Sequence, residues 1–204
     1  MSANLPVTPR HGDVLILVDV QGDFLPSGSL AGPQGDAVLP PLNRAIAAMQ
    51  ARGLPVFATR DWHPADHCSF QAQGGPWPPH CVAVSRGAAF ATALNLPPDA
   101  GIISKATRAD AYSGFQGTEL DRLLRERGVK RLFVVGLATD YCVLNTVQDA
   151  LKLHYQTLVA SKAARTVLAA PAARGASAPK ARPPGRDASR YTATARAACS
   201  ATTC

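Results

Sequence analysis

The 204-residue chain lacks any apolar run that could cross a bilayer; its longest, such as Val14-Leu15-Ile16-Leu17-Val18, are strand-sized. Met1 to Gly12 contains no apolar stretch of signal-peptide length, which points away from export. The five cysteines are odd in number and form no CxxC pair, which argues against both a disulfide scaffold and a zinc ribbon. A reducing, cytoplasmic setting is the simplest expectation. No basic stripe with interleaved aromatics is present, and the net charge of +7 is unevenly placed. Residues 1–167 hold 15 basic and 13 acidic side chains, a net +2, whereas residues 168–204 hold six basic and one acidic, a net +5. Nucleic acid and membrane are therefore set aside as partners. At 47% hydrophobic and 17% charged, the chain as a whole is neither disordered nor membrane-spanning.

What is present reads as alternating strands and helices. Asp13 to Asp19 is a continuous apolar run with polar ends, suited to a strand buried on both faces. Leu42, Ile46 and Met49 recur at helical spacing between Ala37 and Arg52, and Gly53 stops the helix. Strands are expected at Leu54–Thr59, Gly101–Lys105, Lys130–Gly136 and Tyr155–Val159, and helices at Thr118–Arg127 and Cys142–Leu153. In the last helix Val143, Thr146, Val147, Ala150 and Leu151 are read as the inner face. Such alternation implies a three-layer α/β/α domain with a mostly parallel sheet. Residues 61–99 form a long Pro-, Gly-, His- and Trp-rich excursion of the kind that usually carries function. After Leu168, 13 of 36 residues are Ala and none is Val, Ile, Leu, Met, Phe or Trp. The chain thus divides into an N-terminal arm (1–12), a domain (13–167) and a tail (168–204) expected to be disordered.

Reactive side chains collect where the strands end. Asp19 ends the first strand, Asp61 and His63 follow the second, Lys105 ends the third, and Cys142 follows the fourth. Open parallel sheets place their sites there. Taken alone, Cys142 is a small buried hydrophobe, Asp19 a strand end bonded to an amide, and Lys105 a solvated lysine. Taken jointly, a carboxylate can accept the thiol proton, and an ammonium beside both favours their charged forms. A helix start at Cys142 would favour thiolate further. Asp61, His63, His67 and His80 make a metal-type cluster, with hydrogen-bonded loop histidines as the alternative. Pro64 between His63 and His67 rules out a helical metalloprotease arrangement.

The segments VDVQGDF (18–24), TRDWHPADHCSF (59–70), GGPWPPHCV (74–82), KATRADAYSGF (105–115) and GLATDYCV (136–143) resemble the nicotinamidase/pyrazinamidase group of isochorismatase-like cysteine hydrolases. The resemblance implies the isochorismatase-like hydrolase fold, with Asp19 as general base, Lys105 as its lysine and Cys142 as nucleophile. It implies one divalent transition metal (zinc, iron or manganese) on Asp61, His63 and His80, leaves His67 open as a further ligand, and calls for no nucleotide cofactor. Phe24 and Trp77 match substrate-ring residues. Leu137–Ala138 matches a cis peptide, with the Ala138 and Cys142 amides as oxyanion hole. Nicotinamide is the implied small-molecule partner, in NAD salvage, and a homo-oligomer is compatible with the group. Two departures stand out. His154 occupies a position where the family usually has Gly. The tail after Leu168 matches neither the helix nor the final strand expected there, and reads like a frame translated out of register, so that final strand is expected to be missing. A carbamoyl- or ureido-cleaving amidase of the same fold, and an inactive remnant, are the alternatives.

Overall fold

Every residue of β1 (Asp13–Val18) is buried, as a strand covered on both faces must be. The computed structural model describes residues 7–165, with side chains described through 159. In it β1 pairs on one side with β2 (Val56–Asp61), which pairs with β3 (Gly101–Lys105), and on the other with β4 (Arg131–Leu137), which pairs with β5 (Gln156–Arg165). The order is β3-β2-β1-β4-β5 and all four pairings are parallel.

Side chains alternate across the sheet with period two. Leu15 and Leu17 meet Leu42, Ile46 and Met49 of α1 (Leu39–Gln50) on one face. Val14, Ile16 and Val18 meet Leu120 and Leu124 of α2 (Leu120–Glu126) and Ala150 of α3 (Leu144–Lys152) on the other. Each such fully buried Leu or Ile stabilises the fold by about 1.5–3 kcal/mol relative to exposure. The three-layer expectation is met, with a wholly parallel sheet among the described residues. None of the helices in this region is long and apolar enough to cross a membrane.

Several element ends differ from the sequence reading. β2 begins after Pro55 and runs on through Arg60 and Asp61, because these polar residues pair with Ser104 and Lys105 of β3. β5 continues past Val159 to Arg165 by pairing with β4. Cys142 does not open an α-helix. It lies in a π-helical turn, Thr139–Val143, in which the Val143 amide reaches back five residues to the Ala138 carbonyl (3.1 Å). Leu151, read as inward, is 55% exposed. Residues 1–6, and the expectations for a missing final strand and for the tail after Leu168, lie outside the described region.

Candidate active site

From β1 the chain builds outward through β2 and β3, then returns to the other side of β1 to start β4. The strand order therefore reverses between β1 and β4, and the crevice at their carboxyl ends is where open α/β sheets bind ligands. Gly136 closes that crevice tightly: a Cβ there would lie 2.2 Å from the Val18 carbonyl oxygen, and its φ is +130°. No larger residue fits. Asp19 follows β1, Asp61 ends β2 opposite Lys105 on β3, and Ala138 follows β4 across a cis Leu137–Ala138 peptide. Asp19, Cys81 (beside His80) and Ala106 (beside Lys105) all have positive φ, at 50°, 46° and 51°. Such conformations cluster at functional sites.

Lys105 is the hub. Its fully buried ammonium donates to Asp61 Oδ1 (2.5 Å), to the Ala111 carbonyl (3.2 Å) and to Cys142 Sγ (3.5 Å). An ammonium has three N–H groups, and these three partners use them. Asp19 Oδ2 lies 3.0 Å from the same nitrogen yet has no hydrogen bond, while Asp19 Oδ1 accepts one from Thr59 Oγ1 (2.6 Å). Asp19 thus presents one anchored and one unanchored oxygen beside the thiol.

Two carboxylates share this one ammonium. Burial opposes the charge of Asp61, but the Lys105 ammonium, which also donates to it, holds its carboxyl below the usual range. Burial, with the Asp61 charge adding to it against the pull of Lys105, pushes Asp19 up. Burial also pushes the Cys142 thiol well up, outweighing Lys105, and both carboxylates add to the rise. The expectation of a thiol biased to thiolate is thus reversed: the helix start that would supply the dipole is a π turn, and the surroundings are dry and anionic. Lys105 keeps its proton, since the two carboxylates outweigh its desolvation.

Asp61, His63 and His80 are all buried, with ligand atoms within 4.8 Å of one another. Their donor chemistry fits a divalent transition metal. His63 Nδ1 lies 3.2 Å from the Ala106 carbonyl and His80 Nδ1 lies 2.8 Å from the Pro78 carbonyl. Bonds of that kind fix the tautomer and leave Nε2 free as a ligand. His63 Nε2 is indeed buried without a partner, and burial pushes its pKa down to about 4, so the ring is neutral. His67 packs its ring 4.2 Å from that of His63 but stands outside the three-donor cluster, with Nδ1 on Ser69 Oγ (2.8 Å).

Asp61, His63, His80 and Cys142 open into one pocket walled by Phe24, Trp77 and Ala138. Phe24 lies 5.8 Å from the His80 ring. Trp77 Nε1 donates to the Tyr112 hydroxyl (3.0 Å), and its ring meets Tyr141 edge-on at 5.2 Å. The structure therefore brings all nine expected residues to one place. Sequence reasoning missed Tyr112, Tyr141 and Asp110 on the pocket wall, Thr59 behind Asp19, and Gln21 behind Asp61. Gln21 accepts from the Asp61 amide and donates to the Asp61 and Ala88 carbonyls, all within 2.9 Å. The one available signal was strand parity, since Thr59 stands two residues before Asp61 on β2.

The Isochorismatase domain model matches residues 13–177. The chain is 41% identical to the nicotinamidase of Escherichia coli over 176 residues, covering 75% of this chain and 83% of that one. It is 42% identical to the nicotinamidase/pyrazinamidase of Mycobacterium tuberculosis over 149 residues, covering 68% and 78%. The pyrazinamidase of Pyrococcus horikoshii, solved in complex with zinc, superposes with a TM-score of 0.75 at 46% identity, over 77% of this chain and 88% of that one. With the fold, the strand-end site and these similarities in agreement, the chain belongs to the isochorismatase family of hydrolases.

Proposed function

We propose that the protein is a metal-dependent nicotinamidase, converting nicotinamide (and pyrazinamide) to the carboxylate and ammonia through a cysteine thioester. One observation carries the reading: Cys142, backed by buried Lys105 and Asp19, opens into the same pocket as the Asp61–His63–His80 cluster. When bound on that cluster, one zinc, iron or manganese ion supplies a Lewis acid for a ring nitrogen of the substrate.

The chain's own groups do the rest. Phe24 and Trp77 wall the heteroaromatic ring and turn its carboxamide toward Cys142. Asp19 Oδ2, unbonded, takes the thiol proton as Sγ attacks the carboxamide carbon. With both pKa values displaced upward, proton and attack move together, and no free thiolate needs to persist. The Ala138 and Cys142 amides hold the oxyanion, each donor contributing about 3 kcal/mol. Asp19 returns the proton to the departing nitrogen, which leaves as ammonia. It then deprotonates the water that cleaves the thioester, and the thiol is restored. Lys105 holds Asp19 and Cys142 in place throughout.

Ammonia release from nicotinamide, measured with and without chelator and after metal re-addition, tests the reading. Turnover that stops on chelation and returns with metal is expected. Turnover of nicotinamide by metal-free protein would overturn the metal part of the reading, and a metal-independent turnover of a carbamoyl or ureido substrate in place of nicotinamide would favour that class of amidase instead. Absence of turnover under all conditions would favour the inactive remnant.

A further inference from the structure

Among the described residues, two buried side-chain atoms lack a hydrogen-bond partner: His63 Nε2 and Asp19 Oδ2. The first belongs to the Asp61–His63–His80 cluster. The second belongs to another three-donor set, Asp19, Asp61 and Cys142, also fully buried and also with its ligand atoms within 4.8 Å of one another. Asp61 is common to both. Its Oδ2 lies 3.9 Å from His63 Nε2, and its Oδ1 turns to Lys105. The Lys105 ammonium sits within the second set, 3.0 Å from Asp19 Oδ2, 2.5 Å from Asp61 Oδ1 and 3.5 Å from Cys142 Sγ.

Two carboxylates and a thiol suit a zinc-type ion, and the sulfur is the softest donor in the pocket. Sulfur coordinated to a metal would have its attacking lone pair engaged. We propose that Lys105 is a resident cation filling a second, latent metal site, and that it thereby keeps the nucleophile from being captured by metal. The proposal rests on the metal reading of Asp61, His63 and His80. The ammonium supplies the positive charge that two buried carboxylates require. It has no vacant orbital, so it donates a hydrogen bond to Sγ without forming a bond that chemistry must later break. Removing it leaves an anionic, three-donor cavity sharing a bridging carboxylate with the first site.

Cobalt(II) is the probe, because thiolate ligation gives a sulfur-to-cobalt charge-transfer absorption in the near ultraviolet. Cobalt-loaded wild-type protein should hold one equivalent and lack that absorption. Lys105→Ala should hold two equivalents and show it, and Lys105→Ala combined with Cys142→Ser should lose it. If Lys105→Ala is recovered unfolded, refolding with cobalt should restore it at two equivalents. The absorption in wild-type protein would overturn the proposal whatever the variant does. So would one equivalent without the absorption in folded Lys105→Ala, or no recovery of the unfolded variant with cobalt. A wild-type protein that binds no cobalt would overturn this proposal together with the metal reading, whereas one equivalent in both proteins overturns this proposal alone.

Discussion

Thr59 anchors one oxygen of Asp19 and Lys105 supplies charge to the other, so the direction in which Asp19 can take a proton is set by two residues on neighbouring strands. Cys142→Ala is expected to abolish ammonia release while the thermal midpoint stays near that of the wild type, because the thiol is the only reacting atom removed. Asp19→Asn should cost at least about 10²-fold in kcat, since an amide cannot accept the thiol proton. A variant retaining most of its kcat would make Asp19 structural. Thr59 gives a finer test. A hydrogen bond to a charged group is worth about 1.5–3 kcal/mol, so Thr59→Val should lower kcat by about 10- to 100-fold. KM should move little, because Thr59 does not line the pocket. Thr59→Ser, which keeps the hydroxyl, should recover most of the loss, and equal damage from both substitutions would assign Thr59 to packing alone. Asp19, Lys105 and Cys142 were legible because each is a polar or reactive residue at the end of an expected strand or a short turn beyond it. Thr59 was not, since a threonine within a strand is ordinary. Nor was the protonation of Cys142, which depends on burial and on two carboxylates brought in from other strands.

At the scale of elements, apolar runs located all five strands, but hydrogen-bond pairing decided where they end. Asp61 is part of β2 because Lys105 pairs with it, and no feature of the segment itself announces that. The end of α3 was legible in more detail. His154 has φ +68°, and its amide bonds to the Leu151 carbonyl (3.0 Å) while the Tyr155 amide bonds to the Ala150 carbonyl (3.0 Å). This is the paired-bond helix ending that favours glycine at the left-handed position. A side chain there costs about 1–2 kcal/mol, part of which glycine gives back in unfolded-state entropy. His154→Gly should therefore stabilise the protein by about 0.5–1 kcal/mol and raise its midpoint by roughly 1–4 °C in thermal denaturation. An unchanged or lowered midpoint would show that the His154 side chain makes compensating contacts. Activity should be unaffected, because α3 is fixed at its other end by the turn that carries Cys142.

For the whole molecule, the topology gathers the site and the long excursion after β2 completes it. The residue types alone marked Asp61, His63, His67 and His80 as a metal-type cluster, but that the set is Asp61, His63 and His80 was legible only through family resemblance, since 16 residues separate His63 from His80. What brings them together is a set of long-range bonds. His63 and Val82 form a bridge, the His63 amide bonds to the Cys81 carbonyl (3.0 Å), and the Cys81 amide bonds to Asp23 Oδ2 (2.7 Å). The excursion is thus held without a metal, and metal-free protein should remain folded. A metal on these ligands would still tie the end of β2 to the excursion, and it would bind the folded chain far better than the unfolded one. At about 100 times its dissociation constant, such a ligand stabilises by about 2.7 kcal/mol. For a chain of this size that corresponds to a rise in midpoint of about 5–10 °C. Chelation should lower the midpoint by that amount and stop ammonia release, and one equivalent of zinc or manganese should restore both. His80→Ala should melt at the same temperature with and without added metal, having lost the ligand that closes the tie. An unchanged midpoint on chelation of wild-type protein, or a full metal-dependent rise in His80→Ala, would show that these three side chains are hydrogen-bonded parts of the wall rather than the ligands of an ion.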